Sequence, residues 1–105
     1  MKPVDVWADG DAVELRWTAN ALDDLDAAGK FIAEHDRGAA AILAGRALEA
    51  IEGLLLYPNL GRGGRVRGTR ELVISGTPFI AVYRIRIDEI QILRVLHHAR
   101  RWPPR

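Results

Sequence analysis

Two adjacent histidines, His97 and His98, close an alternating run near the C-terminus, and Glu71 and Tyr83 precede them in segments of similar character. Metal-independent cleavage of RNA needs a base at the 2′-hydroxyl and an acid at the leaving oxygen, and these four are the side chains of suitable type. Basic residues gather around them. Arg84, Arg86, Arg94 and His97 are expected on adjacent strands, with His98, Arg100 and Arg101 just beyond. Arginine neutralises phosphate, and Tyr83 or Trp102 could stack on an unpaired base. Each candidate also has a structural reading. Tyr83 fits a core residue whose hydroxyl is satisfied at the sheet edge. The histidines fit strand-end caps, and Glu71 fits an ion pair with Arg70 or Arg94.

Other chemistries find no support. The Gly61-Arg62-Gly63-Gly64 stretch precedes no strand–loop–helix unit and lacks the lysine of a phosphate loop. No serine stands in a nucleophile-elbow pattern. There are no cysteines, hence no disulfide, thiolate zinc site or cysteine nucleophile. Adjacent histidines on a strand point to opposite faces, a poor geometry for one metal. Neither metal nor cofactor is expected.

The elements that would position these groups follow from spacing. Val13–Trp17 alternates apolar and polar, the period of a half-buried strand. Thr18 or Asn20 is placed to cap a helix, with Asp23, Asp24 and Asp26 early in it, where the helix dipole favours acids. Leu22, Leu25, Ala28, Phe31 and Ile32 mark its core-seeking face. His35–Gly38 breaks that helix, and Asp36 can cap a second over residues 38–57, striped by Leu43, Ala47, Ile51, Leu54 and Leu55. Pro58 stops it, and the pair should form an antiparallel hairpin. Residues 61–65 read as a turn, Arg70–Ile74 as a strand, Ser75–Pro78 as a turn, and Phe79–Ile87 and Ile90–His97 as a hairpin about Asp88-Glu89. That turn would pair Ile85 with Ile92, Tyr83 with Arg94 and Ala81 with Leu96 on one face. On the other face it would pair Arg84 with Leu93, Val82 with Val95 and Ile80 with His97. The predicted class is α+β, a two-helix antiparallel hairpin packed on a mostly antiparallel sheet of four to five strands. Residues 1–105 read as one domain, with residues 1–12 as a loose leader.

The net charge of +1 conceals a division. Residues 1–61 hold 5 Lys/Arg against 11 Asp/Glu, whereas residues 62–105 hold 10 arginines against 3 acids, or −6 against +7. Such asymmetry suggests an anionic partner for the second half, and arginine suits bidentate contacts to phosphate or carboxylate. The acidic N-terminal stretch does not read as a signal peptide, and no run approaches the roughly 18 apolar residues of a membrane span. With cysteine absent, the reading is a soluble cytoplasmic protein with no membrane partner.

Three segments together resemble one family. Gly64–Val73, Pro78–Ile85 and Ile90–Pro103, with Trp17-Thr18 and Asp24-Leu25 upstream, are similar in order and spacing to RelE/ParE toxins of type II toxin–antitoxin systems. The resemblance covers about residues 13–103 and implies two helices on an antiparallel sheet. It also implies a cognate antitoxin of ribbon-helix-helix, ParD-like type, bound in a hetero-oligomer. RelE-like members cleave mRNA on the ribosome, and ParE-like members poison DNA gyrase. On a RelE-like reading the catalytic set would be Arg65, Arg70, Glu71, Tyr83 and His97. On either reading Arg84, Arg86, Arg94, His98, Arg100, Arg101 and Trp102 would meet the target or the antitoxin. RelE-like nucleases usually carry a basic residue where this chain has Ile74-Ser75-Gly76, and often another where Ile80 stands. The Leu96-His97-His98-Ala99-Arg100 ending is closer to the ParE-like branch, which makes a gyrase inhibitor the expected function and a ribosome-dependent mRNA endonuclease the alternative.

Overall fold

The computed structural model describes residues 13–103, so the expected leader at residues 1–12 lies outside the described residues. Strand β1 (Glu14–Trp17) leads into helices α1 (Ala19–Ala33) and α2 (Arg37–Glu52), the latter prolonged by a 3-10 turn at Gly53–Leu55. Strands β2 (Arg62–Gly63), β3 (Arg70–Val73), β4 (Phe79–Ile85) and β5 (Glu89–His97) follow. The sheet order is β1-β5-β4-β3-β2, antiparallel except that β1 runs parallel to β5. Both helices lie on one face, so the expected α+β architecture is the observed one. β2 is an addition, because Arg62 and Gly63 pair with Glu71 and Arg70 where only a turn was expected.

The caps follow the expected chemistry. The Thr18 hydroxyl accepts from Ala21 N–H at 3.1 Å, and the Asp36 carboxylate accepts from Ala39 N–H at 3.1 Å, each satisfying an orphan donor. Since α1 begins at Ala19, its aspartates fall beyond the first turn, outside the strongest reach of the dipole. Asp26 instead pairs with Lys30 at 3.0 Å, one turn on. The buried stripe of α1 is Ala21, Leu25, Ala28 and Ile32, whereas Leu22 and Phe31 are 52% and 61% exposed. The i+3/i+4 rule leaves a choice of neighbouring stripes, and small alanines allow the closer approach to the sheet. The stripe is Leu43, Ala47 and Ile51 in α2, which ends at Glu52 and not at residue 57, and Leu54 in the 3-10 turn, with Leu55 turned outward. These side chains and Leu72, Ile74, Ala81, Tyr83, Ile90, Ile92 and Val95 form the main core between helices and sheet. A fully buried Leu or Ile contributes roughly 1.5–3 kcal/mol.

The β4–β5 register departs from the expected one in two steps. Arg86 N–H bonds Glu89 O at 2.8 Å, so the hairpin turns about Ile87-Asp88, not Asp88-Glu89. Ile85 therefore faces Ile90, and Tyr83 faces Ile92. A bulge follows at Leu93, after which Val82 faces Arg94 and Ala81 faces Val95. One extra residue reverses inside and outside on β5. Ile90, Ile92 and Val95 thus share the helix side. Arg94 and Leu96 move to the opposite, open face, where Leu96 packs with Ile80, Val82 and Trp102.

Candidate functional site

The open face is built from alternate residues of all five strands. Arg16 on β1, Glu89 and Gln91 on β5, and Arg84 on β4 form a continuous polar row. The Arg16 guanidinium donates to Glu89 at 3.0 Å, the Gln91 amide donates to Glu89, and Arg84 donates to the Gln91 carbonyl. Glu71, on β3, is only 2% exposed. Its carboxylate accepts from the Arg65 backbone N–H at 3.0 Å and from the Arg62 and Arg65 guanidinium groups at 3.3 Å each. Burial pushes the Glu71 carboxyl upward, but the Arg65 hydrogen bond and the two cations outweigh it and hold the group below its ordinary range. Arg65 also reaches Arg100 O at 3.4 Å, tying the β2–β3 connection to the C-terminal segment.

Asp24 is the residue that sequence reading undervalued. β1 ends opposite Ile92, so the β5 edge beyond it lacks a neighbouring strand. Asp24 projects from α1 to that edge, where its carboxylate accepts from Val95 N–H at 2.9 Å and from Arg94 at 2.7 and 2.9 Å. One side chain thereby satisfies a strand donor that β1 stops short of and fixes an arginine bidentately. The Arg94 guanidinium lies 5.5 Å from the Trp102 ring centroid, a cation–π contact. Thr18 completes the junction: its hydroxyl lies 3.1 and 3.0 Å from Ile92 O and Leu93 O, across the bulge. The sequence signal was three aspartates clustered early in one helix, Asp23, Asp24 and Asp26, which cannot say which one turns toward the sheet.

The five residues nominated for RNA cleavage are divided between the faces. Glu71 pairs across the sheet with Val82 on the open side, whereas Arg70 pairs with Tyr83 on the helix side. Tyr83 is fully buried, and its hydroxyl accepts from Gly61 N–H at 2.9 Å and donates to Pro58 O at 2.7 Å. Arg70 donates to Asn59 O at 3.3 Å and Gly61 O at 2.6 Å, pinning the same loop. Gly61 has no alternative there, since a Cβ would stand 2.7 Å from the Tyr83 ring. The expected pairing of Glu71 with Arg70 or Arg94 is replaced by Arg62 and Arg65, because Arg62 lies opposite Glu71 in the β2–β3 ladder and the connection after β2 brings Arg65 back to the same carboxylate. His97 is exposed, packs edge-on against Phe79, and accepts from Ala99 N–H at 3.1 Å. His98 stacks on it at 4.8 Å instead of facing the other side, because β5 ends at His97 and strand alternation ends with it.

Two apolar grooves flank α1. One of about 450 Å³, between the helices, is lined by Leu22, Leu25, Gly29, Ala33 and Ala44 with Asp26 and Lys30 at its rim. The other, about 300 Å³, lies between α1 and the end of β5, lined by Phe31, Ala27, Ala28, Phe79, Val95 and His97, with Asp24 and Arg100 alongside. A third groove on the open face is more polar than these two and contains Arg84, Arg86, Arg94 and Trp102. Arg101 is exposed beside it in sequence.

Comparison with known proteins places this architecture. The family model described as "ParE toxin of type II toxin-antitoxin system, parDE" matches residues 15–102. A Sinorhizobium fredii protein named "Putative toxin Y4kP" is 44% identical over 89 residues, covering 85% of this chain and 92% of the relative. A solved structure titled "Chromosomal ParDE TA system from P. aeruginosa" superposes with a TM-score of 0.75 at 31% identity, covering 83% of this chain and 97% of that one. Family match, relative and fold agree: the chain belongs to the ParE toxin family of type II toxin–antitoxin systems.

Proposed function

We propose that this toxin acts by docking on DNA gyrase and is neutralised by a ribbon-helix-helix, ParD-like antitoxin in a cytoplasmic hetero-oligomer. The observation that carries the first part is the division of the acid–base candidates. The Glu71 carboxylate serves Arg62 and Arg65 on one face, and the Tyr83 hydroxyl serves Pro58 and Gly61 on the other. With Ser75 and Ile80 where basic side chains would be wanted, the chain is better equipped to bind than to cleave. Supercoiling by purified gyrase should be inhibited by the antitoxin-free chain, with accumulation of cleaved DNA. No effect at micromolar protein would refute the gyrase reading.

The antitoxin reading rests on the two grooves beside α1. Exposed Phe31 and Leu22 stand at their margins, and helix-in-groove or strand-like segments bury such anchors as they fold. The location rests on sequence content, together with the observation that no helix among the described residues is long and apolar enough to cross a membrane. One observation favours the mRNA-endonuclease alternative: His97 is exposed and shares a groove with Arg100. Translating ribosomes with the toxin should then yield cuts within codons that vanish with His97→Ala; intact transcripts exclude it.

A further inference from the structure

The arginine-lined groove of the open face, about 510 Å³, lies between the β2–β3 connection, the end of β4, the middle of β5, the start of α1 and Trp102. Its lining includes Arg67, Arg84, Arg86 and Arg94 and no carboxylate. Arg94 is neutralised by Asp24. Arg84 is bonded only to the neutral Gln91 amide, which leaves its charge uncompensated. Arg67 and Arg86 form no ion pair among the described residues. Glu89, whose charge Arg86 feels, is already engaged by Arg16 and Gln91. At the groove wall the Trp102 indole N–H is buried and finds no acceptor among the described residues. The groove therefore offers donors and positive charge with no carboxylate in its lining to balance them, a deficit that an anionic ligand would fill.

We propose that this groove binds the phosphodiester backbone of duplex DNA directly. Three features select that ligand. Arg84 on β4, Arg86 in the β4–β5 connection and Arg67 in the β2–β3 connection line one groove, and several cations along a groove suit a line of phosphates. Proteins that hold single strands add exposed aromatic platforms for stacking. Here the one aromatic in the groove, Trp102, is packed against Ile80, Val82 and Leu96 and overlaid by Arg94. An acidic peptide with an apolar face would find the grooves along α1, on the other side of the sheet, lined in greater proportion by apolar groups. The groove belongs to the toxin chain itself, whichever target that chain acts on.

The test is fluorescence anisotropy of the purified full chain with a labelled duplex of about 20 base pairs, over about 50–200 mM salt. With Arg67, Arg84 and Arg86 each neutralising a phosphate, affinity should fall about 40-fold over that range. Arg67→Ala/Arg86→Ala should weaken binding at least about tenfold at low salt and flatten the logarithmic salt slope by about 2. A charge-matched control, Arg37→Ala/Arg46→Ala on the helix side, should bind within about twofold of wild type. Circular dichroism verifies that both variants fold. Absence of binding at tens of micromolar, or equal losses in both double variants, overturns the proposal. So does tighter binding of the single strand than of its duplex, or displacement of DNA by a poly-glutamate peptide at lower concentration than unlabelled duplex. Anisotropy contains no gyrase, so failure here leaves the gyrase assay untouched, and the reverse holds.

Discussion

Replacing Tyr83 by Phe removes one oxygen atom from a fully buried ring and leaves the rest of the core in place. That oxygen joins β4 to the loop between α2 and β2, accepting from Gly61 N–H at 2.9 Å and donating to Pro58 O at 2.7 Å. Each lost hydrogen bond removes about 0.5–1.5 kcal/mol net, and a buried N–H left without acceptor adds about 1–3 kcal/mol. Gly61 is buried, but its neighbour Asn59 is exposed, so water can partly rescue the loop and the lower half of the sum applies. The expected loss is about 2 kcal/mol. For a domain of this size that lowers Tm by roughly 8–16 °C. Thermal unfolding followed by circular dichroism measures it, and hydrogen exchange at the Gly61 amide reports the site directly, protected in the wild type and fast in the variant. A Tm change under about 2 °C with Gly61 still protected would refute the staple. Toxin activity per folded molecule should persist, which separates this role from catalysis.

Further outcomes follow from the charged groups. Glu71→Gln should cost about 1.5–3 kcal/mol at neutral pH, because two cations and an N–H lose a charged acceptor. The folded Glu71 pKa lies below its ordinary value of 4.5, so this contribution is complete above that pH and fades as pH falls through the folded value. Denaturant curves of wild type and variant should therefore converge only in acid; a gap independent of pH would contradict the linkage. Asp24→Ala should cost about 3 kcal/mol by stranding Arg94 and Val95 N–H, and Asp24→Ala/Arg94→Met should recover part of it. Equal or additive loss in the double variant would show that the two side chains do not act as a pair. For the antitoxin, surface plasmon resonance should show association slowed by salt more than dissociation is quickened, since the +7 half of the chain steers encounter. A salt-independent on-rate would oppose that.

The toxin's polar groups are divided between holding the fold and facing outward. Glu71, Asp24, Tyr83 and Arg70 are consumed by backbone donors and acceptors that short strands and a bulge leave open. Arg67, Arg86 and Arg101 are not among the side chains so used. A surface built from leftover cations on a stiffened sheet suits recognition, where position and charge matter more than proton transfer.

Much of this was local and therefore visible in the sequence. Alternation, helical spacing, two caps and Pro58 specify the elements, because each depends on residues within a turn or two of one another. The segments that resemble RelE/ParE toxins carried the family, and the charge asymmetry marked the half whose arginines line the open-face groove. Tertiary structure decided the rest. The Leu93 bulge inserts one residue and so moves Arg94 and Leu96 to the open face, an inversion that no alternation rule can foresee because period-2 patterns tolerate a slip. Asp24 became structural because β1 stops short and leaves Val95 N–H without a strand. Tyr83 and Glu71, close in the list of chemical candidates, were parted because cross-strand pairing sends them to opposite faces. Residue types and their order are properties of the chain, whereas the side of a sheet on which a group emerges is settled only when every strand has found its neighbour.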